Sequence, residues 1–345
     1  VRWDHLRLDA DSGTANGTAA GPPQQPLIER RAVARTIDTP GFRGMTFYEV
    51  RARTIINKVP EASRVPFRWT INPYRGCSHA CLYCFARKTH EYLDMDAGAD
   101  FDSRIVVKVN AAERVRAELA APRWRGEHIA MGTNVDCYQR AEGRYRLMPG
   151  ILAALADAAN PFSILTKGTL ILRDLPLLQE AAARTRVGTA VSVGTVDPDL
   201  WRLTEPGTPP PRRRLEACAA LNDAGIDCSV LMGPVLPYLS DSPAQLADAV
   251  RQIADAGATS VSAITLHLRP GAREWFLGWL REHRPDLVAP YARLYRGGAY
   301  APRDYQEAIS RRVRDLAAEY GIGRRARHRP APAPPAPRPQ QLTLL

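Results

Sequence analysis

INPYRGCSHACLYCFAR, residues 71–87, sets Cys77, Cys81 and Cys84 at C-x3-C-x2-C spacing on one short loop. The residues leading into it, FRWTIN (67–72), form a β-branched and aromatic run of strand length. Three thiolates so close in sequence call for a metal. With no fourth soft ligand beside them they leave a coordination position open, which separates a catalytic iron centre from a closed four-ligand structural zinc. The competing reading is a zinc site completed by His79 or His90, which needs unfavourable loop geometry and leaves the rest of the chain's pattern unexplained.

Outward from the loop, short apolar runs alternate with longer helical patterns, as in βα units built around parallel strands. Strands are expected at 67–72, 128–132, 162–166, 187–193, 227–233 and 260–266, and helices at 110–120, 147–159, 174–183, 212–224, 243–256 and 270–283. The fold class that follows is α/β, a partial (β/α)6 barrel rather than the closed eight-stranded form. The expected boundaries are an N-terminal extension over 1–62, largely disordered to about residue 40, a barrel over 63–285, a helical extension over 286–325 and a proline-rich tail over 326–345.

Of the 345 residues 45% are hydrophobic and 24% charged, the mix of a globular protein. No run approaches the roughly eighteen apolar residues of a membrane span, and VRWDHLRLDADSG has no signal-peptide pattern, so a cytoplasmic chain with no membrane partner is expected. There the six cysteines are thiols. Cys218 and Cys228, in LEACAAL and IDCSVLMG, read as small buried hydrophobes. A net charge of +11 favours a polyanionic partner, although RRRLEA and RRARHRP also read as solvated faces.

The cysteine spacing, Tyr83 before the last cysteine and the strand-loop context resemble the radical S-adenosylmethionine (SAM) superfamily. The resemblance implies a [4Fe-4S] cluster on Cys77, Cys81 and Cys84, with SAM chelated to the open iron. An external electron donor then drives cleavage of SAM to a 5′-deoxyadenosyl radical, which takes a hydrogen atom from substrate. It also implies SAM contacts from Tyr83 and from the C-terminal ends of the strands. Gly132, Thr133 and Asn134 take the place of the small-residue motif that meets the SAM amino group, without its commonest Gly-Gly-Glu form. A lysine at a strand end in a barrel mouth needs an anion, and for Lys167 the SAM carboxylate is the natural one; the alternative is a surface lysine. Ser192 and Thr195 resemble ribose-contacting hydroxyls or else form turns, and Met232 and Val235 back the adenine ring or simply pack.

INPYRGC, GTNVDCYQRAE, LTKGTLILRD, TEPGTPPPRRRLEA and VLMGPVLP, within residues 63–270, are similar to the spore photoproduct lyase-like branch and an actinobacterial-type subgroup of it. The resemblance implies a lyase-like enzyme acting on DNA or another nucleic acid, in repair or modification. The alternatives are modification of a peptide or small metabolite, and a non-catalytic iron-sulfur protein. In the lyase a cysteine at the tip of the second strand returns a hydrogen atom; that position falls on Gly132 here, and Cys137 is either a relocated donor or an incidental loop cysteine. Asp136, Tyr138, Gln139 and Glu142 are candidates to orient substrate or SAM, unless their loop only packs on its neighbours. Glu205-Pro206-Gly207 and Arg212 to Arg214 could present guanidinium groups to phosphate or pair with nearby carboxylates. The terminus Gln341-Leu342-Thr343-Leu344-Leu345 resembles the bacterial sliding-clamp binding motif, with Gln341, Leu342, Leu344 and Leu345 as anchors; otherwise it folds back on the barrel.

Overall fold

A computed structural model describes residues 33–36, 40–63 and 65–323. The strands are β1 (Val33–Thr36), β2 (Thr46–Val50), β3 (Ile56–Lys58), β4 (Trp69–Ile71), β5 (Tyr74–Arg75), β6 (Arg104–Lys108), β7 (Ile129–Met131), β8 (Phe162–Thr166), β9 (Val187–Ser192), β10 (Cys228–Val235) and β11 (Val261–Thr265). The α-helices are α1 (Ala99–Ser103), α2 (Ala111–Leu119), α3 (Arg140–Tyr145), α4 (Leu147–Asp157), α5 (Leu175–Arg184), α6 (Pro198–Thr204), α7 (Pro211–Asp223), α8 (Pro243–Asp255), α9 (Ala272–His283), α10 (Val288–Leu294) and α11 (Arg303–Glu319).

Six strands, β4, β7, β8, β9, β10 and β11, lie side by side in chain order, each parallel to the next, with β3 antiparallel on the outer edge of β4. These are the six strands expected from sequence, and the open sheet they form is the arrangement of a partial (β/α)6 barrel. Every second residue, among them Ile164, Val191, Val230 and Met232, faces the helices and is buried in the main core. The alternate residues Leu165, Ala190, Leu231 and Ile264 face inward and are only half-covered or exposed, Ile264 by 41%. The sheet therefore encloses room that its own side chains do not fill.

The sequence reading did not anticipate a second sheet of four strands in the order β1-β2-β6-β5. Within the leader expected to be largely disordered to about residue 40, Val33–Thr36 pairs antiparallel with Thr46–Val50; residues 1–32 lie outside the described residues. The run RIVVK of β6 carried a readable strand signal, and it pairs parallel to β2. The boundary drawn at 285 does not divide the core. Ile309, Val313 and Leu316 of α11 join the main core, so α11 backs β11, while α9 and α10 pack with Cys81 and Tyr83 in a separate cluster. The tail carrying Gln341 to Leu345 lies outside the described residues. Among those that are described, no helix is long and apolar enough to cross a membrane.

Candidate active site

The cysteine loop begins where β5 ends. Gly76 turns the chain at φ +74°, and a Cβ there would sit 2.8 Å from His90 Cε1 and 2.9 Å from the Phe101 carbonyl oxygen, so only glycine fits. The Cys77 N–H donates to the Phe101 carbonyl at 2.9 Å. Gln139, fully buried, donates to the Gly76 carbonyl and accepts from the Ser78 N–H, both at 2.9 Å. On the other side the Leu82 N–H donates to the Thr204 carbonyl at 3.0 Å and the Gly207 N–H to the His79 carbonyl at 3.1 Å. The loop is thus held in its open shape by the segments after β7 and after α6.

Cys77 and Cys81 are buried, Cys84 is half-buried, and all three are free thiols. Burial pushes each thiol up, and at Cys77 the Asp136 carboxylate and the other two sulfurs add to the effect. Thiolates here would be costly without a cation, and iron is the kind of centre that makes the thiolate the stable form. Among the described residues no three His, Cys, Asp or Glu side chains converge as a single-ion site. A cubane cluster takes each thiolate on a different iron, so its ligands need not meet at one point. The donor set therefore fits an iron-sulfur cluster.

Beside the loop the ends of three strands supply one polar network. Lys167 follows β8, Ser192 ends β9, and Gly233 lies in β10; all fall on the inward-facing alternation. Lys167 Nζ donates to Ser192 Oγ at 2.5 Å and to the Gly233 carbonyl at 3.1 Å, and lies 3.8 Å from Glu205 Oε1 and 5.8 Å from the Tyr83 ring centroid. Tyr83 donates its hydroxyl to Glu205, and Arg214 forms an ion pair with the same carboxylate. Burial pushes the Glu205 carboxyl up, but Arg214, Lys167 and Tyr83 outweigh it and hold the group at about 2. The anion that Lys167 needs is thus partly supplied within the protein, by Glu205 of the loop whose arginines were open to either phosphate or carboxylate partners.

A second network lies under the first half of the loop. Asp136 accepts from the Thr166 hydroxyl and the Lys167 N–H, both at 2.6 Å, and from the Tyr138 N–H at 2.8 Å, with His79 Nδ1 at 3.3 Å. Burial pushes its carboxyl up; His79, Thr166 and Lys167 reverse that and hold it at about 2. His79 is a buried partner of Asp136. His90 places Nε2 2.8 Å from the Arg104 carbonyl.

Several candidate residues are already engaged within the fold. Gly132, at φ +75°, is where the chain passes β8 so closely that a Cβ would lie 1.8 Å from the Leu165 carbonyl oxygen; Thr133 and Asn134 beside it are half-buried. Cys137 is fully covered in the main core, and burial, with Asp136 and Glu142 nearby, pushes its thiol far up. A thiol so placed lacks the exposed polar setting that a hydrogen donor requires. Tyr138 donates to Asp174 at 3.1 Å. Glu142 accepts from Tyr74 at 2.6 Å, Arg173 at 2.6 Å and the N–H groups of Leu147 and Met148, so it ties the start of α4 to the neighbouring strand and does not face a substrate. Of the three arginines, Arg214 is buried on Glu205, while Arg212 and Arg213 pair with Glu216 at 3.0 and 2.7 Å. Thr195 is buried and accepts from the Asp197 N–H. Met232 and Val235 belong to the core.

One surface feature escaped the sequence reading. Phe85, next to Cys84, is 44% exposed, and Tyr300 is 47% exposed. Arg269, just beyond β11, places its guanidinium carbon 5.6 Å from the Phe85 ring centroid and 5.9 Å from that of Tyr300, and donates to Tyr300 Oη at 2.8 Å. His267 meets the Tyr300 ring edge to face at 4.6 Å. Aromatic and cationic groups thus form one ledge beside the cysteine loop, with Phe85 lying roughly 180 to 215 residues before the others in the chain.

Among known proteins the chain is 51% identical over 339 residues to an uncharacterized protein of Mycobacterium tuberculosis strain H37Rv, covering 98% of this chain and all of that one. An uncharacterized protein of Methanocaldococcus jannaschii is 28% identical over 195 residues, 56% of this chain and 69% of the relative. Spore photoproduct lyase, solved with a dinucleoside spore photoproduct, has the same fold with a TM-score of 0.63 at 14% identity, over 89% of this chain and 86% of that one. A variant of the lyase solved with AdoMet and the same photoproduct gives 0.61 at 14% identity, over the same shares. The sequence profile of the radical SAM superfamily matches residues 71–263, from the end of β4 into β11, the last parallel strand. The free thiols at the mouth of six parallel strands and that match agree: the chain belongs to the radical SAM superfamily, enzymes that use a [4Fe-4S] cluster and SAM.

Proposed function

We propose that this radical SAM enzyme acts on DNA or another nucleic acid, and the ledge of Phe85, Arg269, Tyr300 and His267 is the observation that carries the proposal. Exposed rings bridged by a guanidinium suit a base that has left its stack, with the arginine also drawing phosphate. The net charge of +11 favours the same partner. The likeness to spore photoproduct lyase spans 89% of the chain, well beyond the barrel, and supports the reading at the level of fold.

The bound cluster and SAM supply one-electron cleavage of the SAM sulfonium and hydrogen-atom abstraction from the substrate. In this reading Cys77, Cys81 and Cys84 hold the cluster, and an external electron donor reduces it. Lys167 meets the SAM carboxylate while Glu205, 3.8 Å from its ammonium, keeps it aimed inward. Ser192 and Thr195 contact the ribose, Gly132 to Asn134 meet the amino group, and Tyr83 closes the site from the cysteine loop.

The test is anaerobic reconstitution followed by incubation with SAM and labelled damaged or undamaged DNA. Label is expected to pass from the DNA into 5′-deoxyadenosine. Binding of a single-stranded oligonucleotide is expected to weaken with salt and to fall about tenfold in R269A, the scale of one lost stacking or phosphate contact. SAM cleavage with no label transfer from any nucleic acid, and no oligonucleotide binding at low salt, would overturn the proposal in favour of a peptide or small-metabolite substrate.

A further inference from the structure

Arg87 is a fully buried cation three residues beyond the last cysteine. Its Nε and Nη2 both donate to the Cys81 carbonyl, at 3.2 and 2.9 Å. Nη1 donates to the carbonyls of Gly98 and Ala97 at 2.9 and 3.3 Å, and Nη2 also reaches both oxygens of Asp102 at 2.9 and 3.0 Å. The guanidinium carbon lies 5.0 Å from the Trp275 ring centroid and 5.3 Å from that of Phe101. The planar fork is therefore saturated, and lysine could not reproduce it.

The charge is enclosed beside the cysteine turn, with Nε and Nη2 both on the Cys81 carbonyl. Among the described residues the only carboxylate bonded to Arg87 is Asp102, whose side chain keeps 20% of its surface in solvent, whereas Arg87 is wholly enclosed. A solvent-touching counter-charge offsets a buried cation only in part.

We propose that Arg87 is a positioning residue for the cluster: it fixes the Cys81–Cys84 turn through the Cys81 carbonyl, and its charge raises the reduction potential of the cluster. The reduced cluster carries one more negative charge than the oxidised one, so a nearby cation stabilises it preferentially. Only the cluster on these cysteines is required; the proposal does not depend on which substrate the enzyme takes.

The experiment is an EPR-monitored redox titration of anaerobically reconstituted full-length protein, with iron content measured alongside. In R87Q the ratio of reduced to oxidised cluster at a fixed potential is expected to fall about tenfold, a shift of about 59 mV downward for a one-electron couple. In D102N, which keeps the guanidinium and removes its counter-charge, the potential is expected to move upward. R87K is expected to keep a potential near the parent's but to lose iron to a chelator several times faster, because the paired bonds to the Cys81 carbonyl are gone. Should R87Q fail to hold iron, D102N decides alone. An unchanged potential in D102N, or shifts of the same sign in R87Q and D102N, overturns the proposal.

Discussion

Gly207 and Ser78 come so close that a methyl group added to Gly207 would lie 2.1 Å from the Ser78 carbonyl oxygen. The segment after α6 is pressed against the backbone of the cysteine loop, and the Gly207 N–H fastens it there through the His79 carbonyl at 3.1 Å. In G207A one of the two backbones must shift. The expected outcome is a loss of about 1–3 kcal/mol, the scale of a small overpacking change, together with reduced iron after reconstitution. Urea midpoints and iron content check it.

Replacing any one of Cys77, Cys81 and Cys84 with alanine is expected to abolish a stable cluster, since two thiolates do not hold a four-iron core. Iron content and visible absorption of the three reconstituted variants check this. Full loading in all three would remove the cluster from these residues.

Arg214 is 1% exposed and forms an ion pair with Glu205, which is 2% exposed. R214A leaves that carboxylate buried without its nearest cation and is expected to destabilise the fold by about 3–5 kcal/mol. The exposed pair of Arg212 with Glu216 offers the control: R212A is expected to change stability by less than about 1 kcal/mol. Denaturant unfolding of the two variants side by side separates the cases.

K167A is expected to weaken SAM binding about tenfold with iron content unchanged, since it removes one charge-assisted contact to a carboxylate. Isothermal titration or equilibrium dialysis under anaerobic conditions measures it. Equal affinity in variant and parent would make the bonds of Lys167 to Ser192, Gly233 and Glu205 its whole role.

Asp136 is held at about 2 against burial by His79, Thr166 and Lys167. A carboxyl whose folded value lies below its unfolded value stabilises the fold above the unfolded value, and that stability is lost as pH falls toward the folded one. The window is therefore about pH 4 down to about pH 2, and the loss from this group is about 2 kcal/mol. D136N is expected to flatten that part of the stability curve and to lower the plateau at neutral pH. Thermal melts from pH 2 to pH 7 check both features.

The sequence by itself determined whatever depends on neighbours along the chain. The C-x3-C-x2-C spacing selected a metal with an open site, the apolar alternation located the six parallel strands, and helical patterning located α2, α4, α5, α7, α8 and α9 within a residue or two. Ligand spacing and periodicity are local properties, and burial against one common sheet leaves them undisturbed. The four-stranded sheet was less legible, because β1, β2, β5 and β6 are short, between two and five residues, and β6 alone carries a strong β-branched signal.

Tertiary structure alone decided what each polar side chain faces. Tyr83 and Glu205 are 122 residues apart, and they meet because α6 carries the following segment back over the cysteine loop. Arg214 looked like its exposed neighbours Arg212 and Arg213, yet one position on α7 points it inward to Glu205, just as the turn after β7 sends Cys137 into the core and away from the mouth. Arg87 gave no local sign of saturation, because its partners Cys81, Ala97, Gly98 and Asp102 are brought round it only when the loop closes. In each case the identity of the residue was in the sequence, and the partner that fixes its charge, exposure and role came from the closing of the chain.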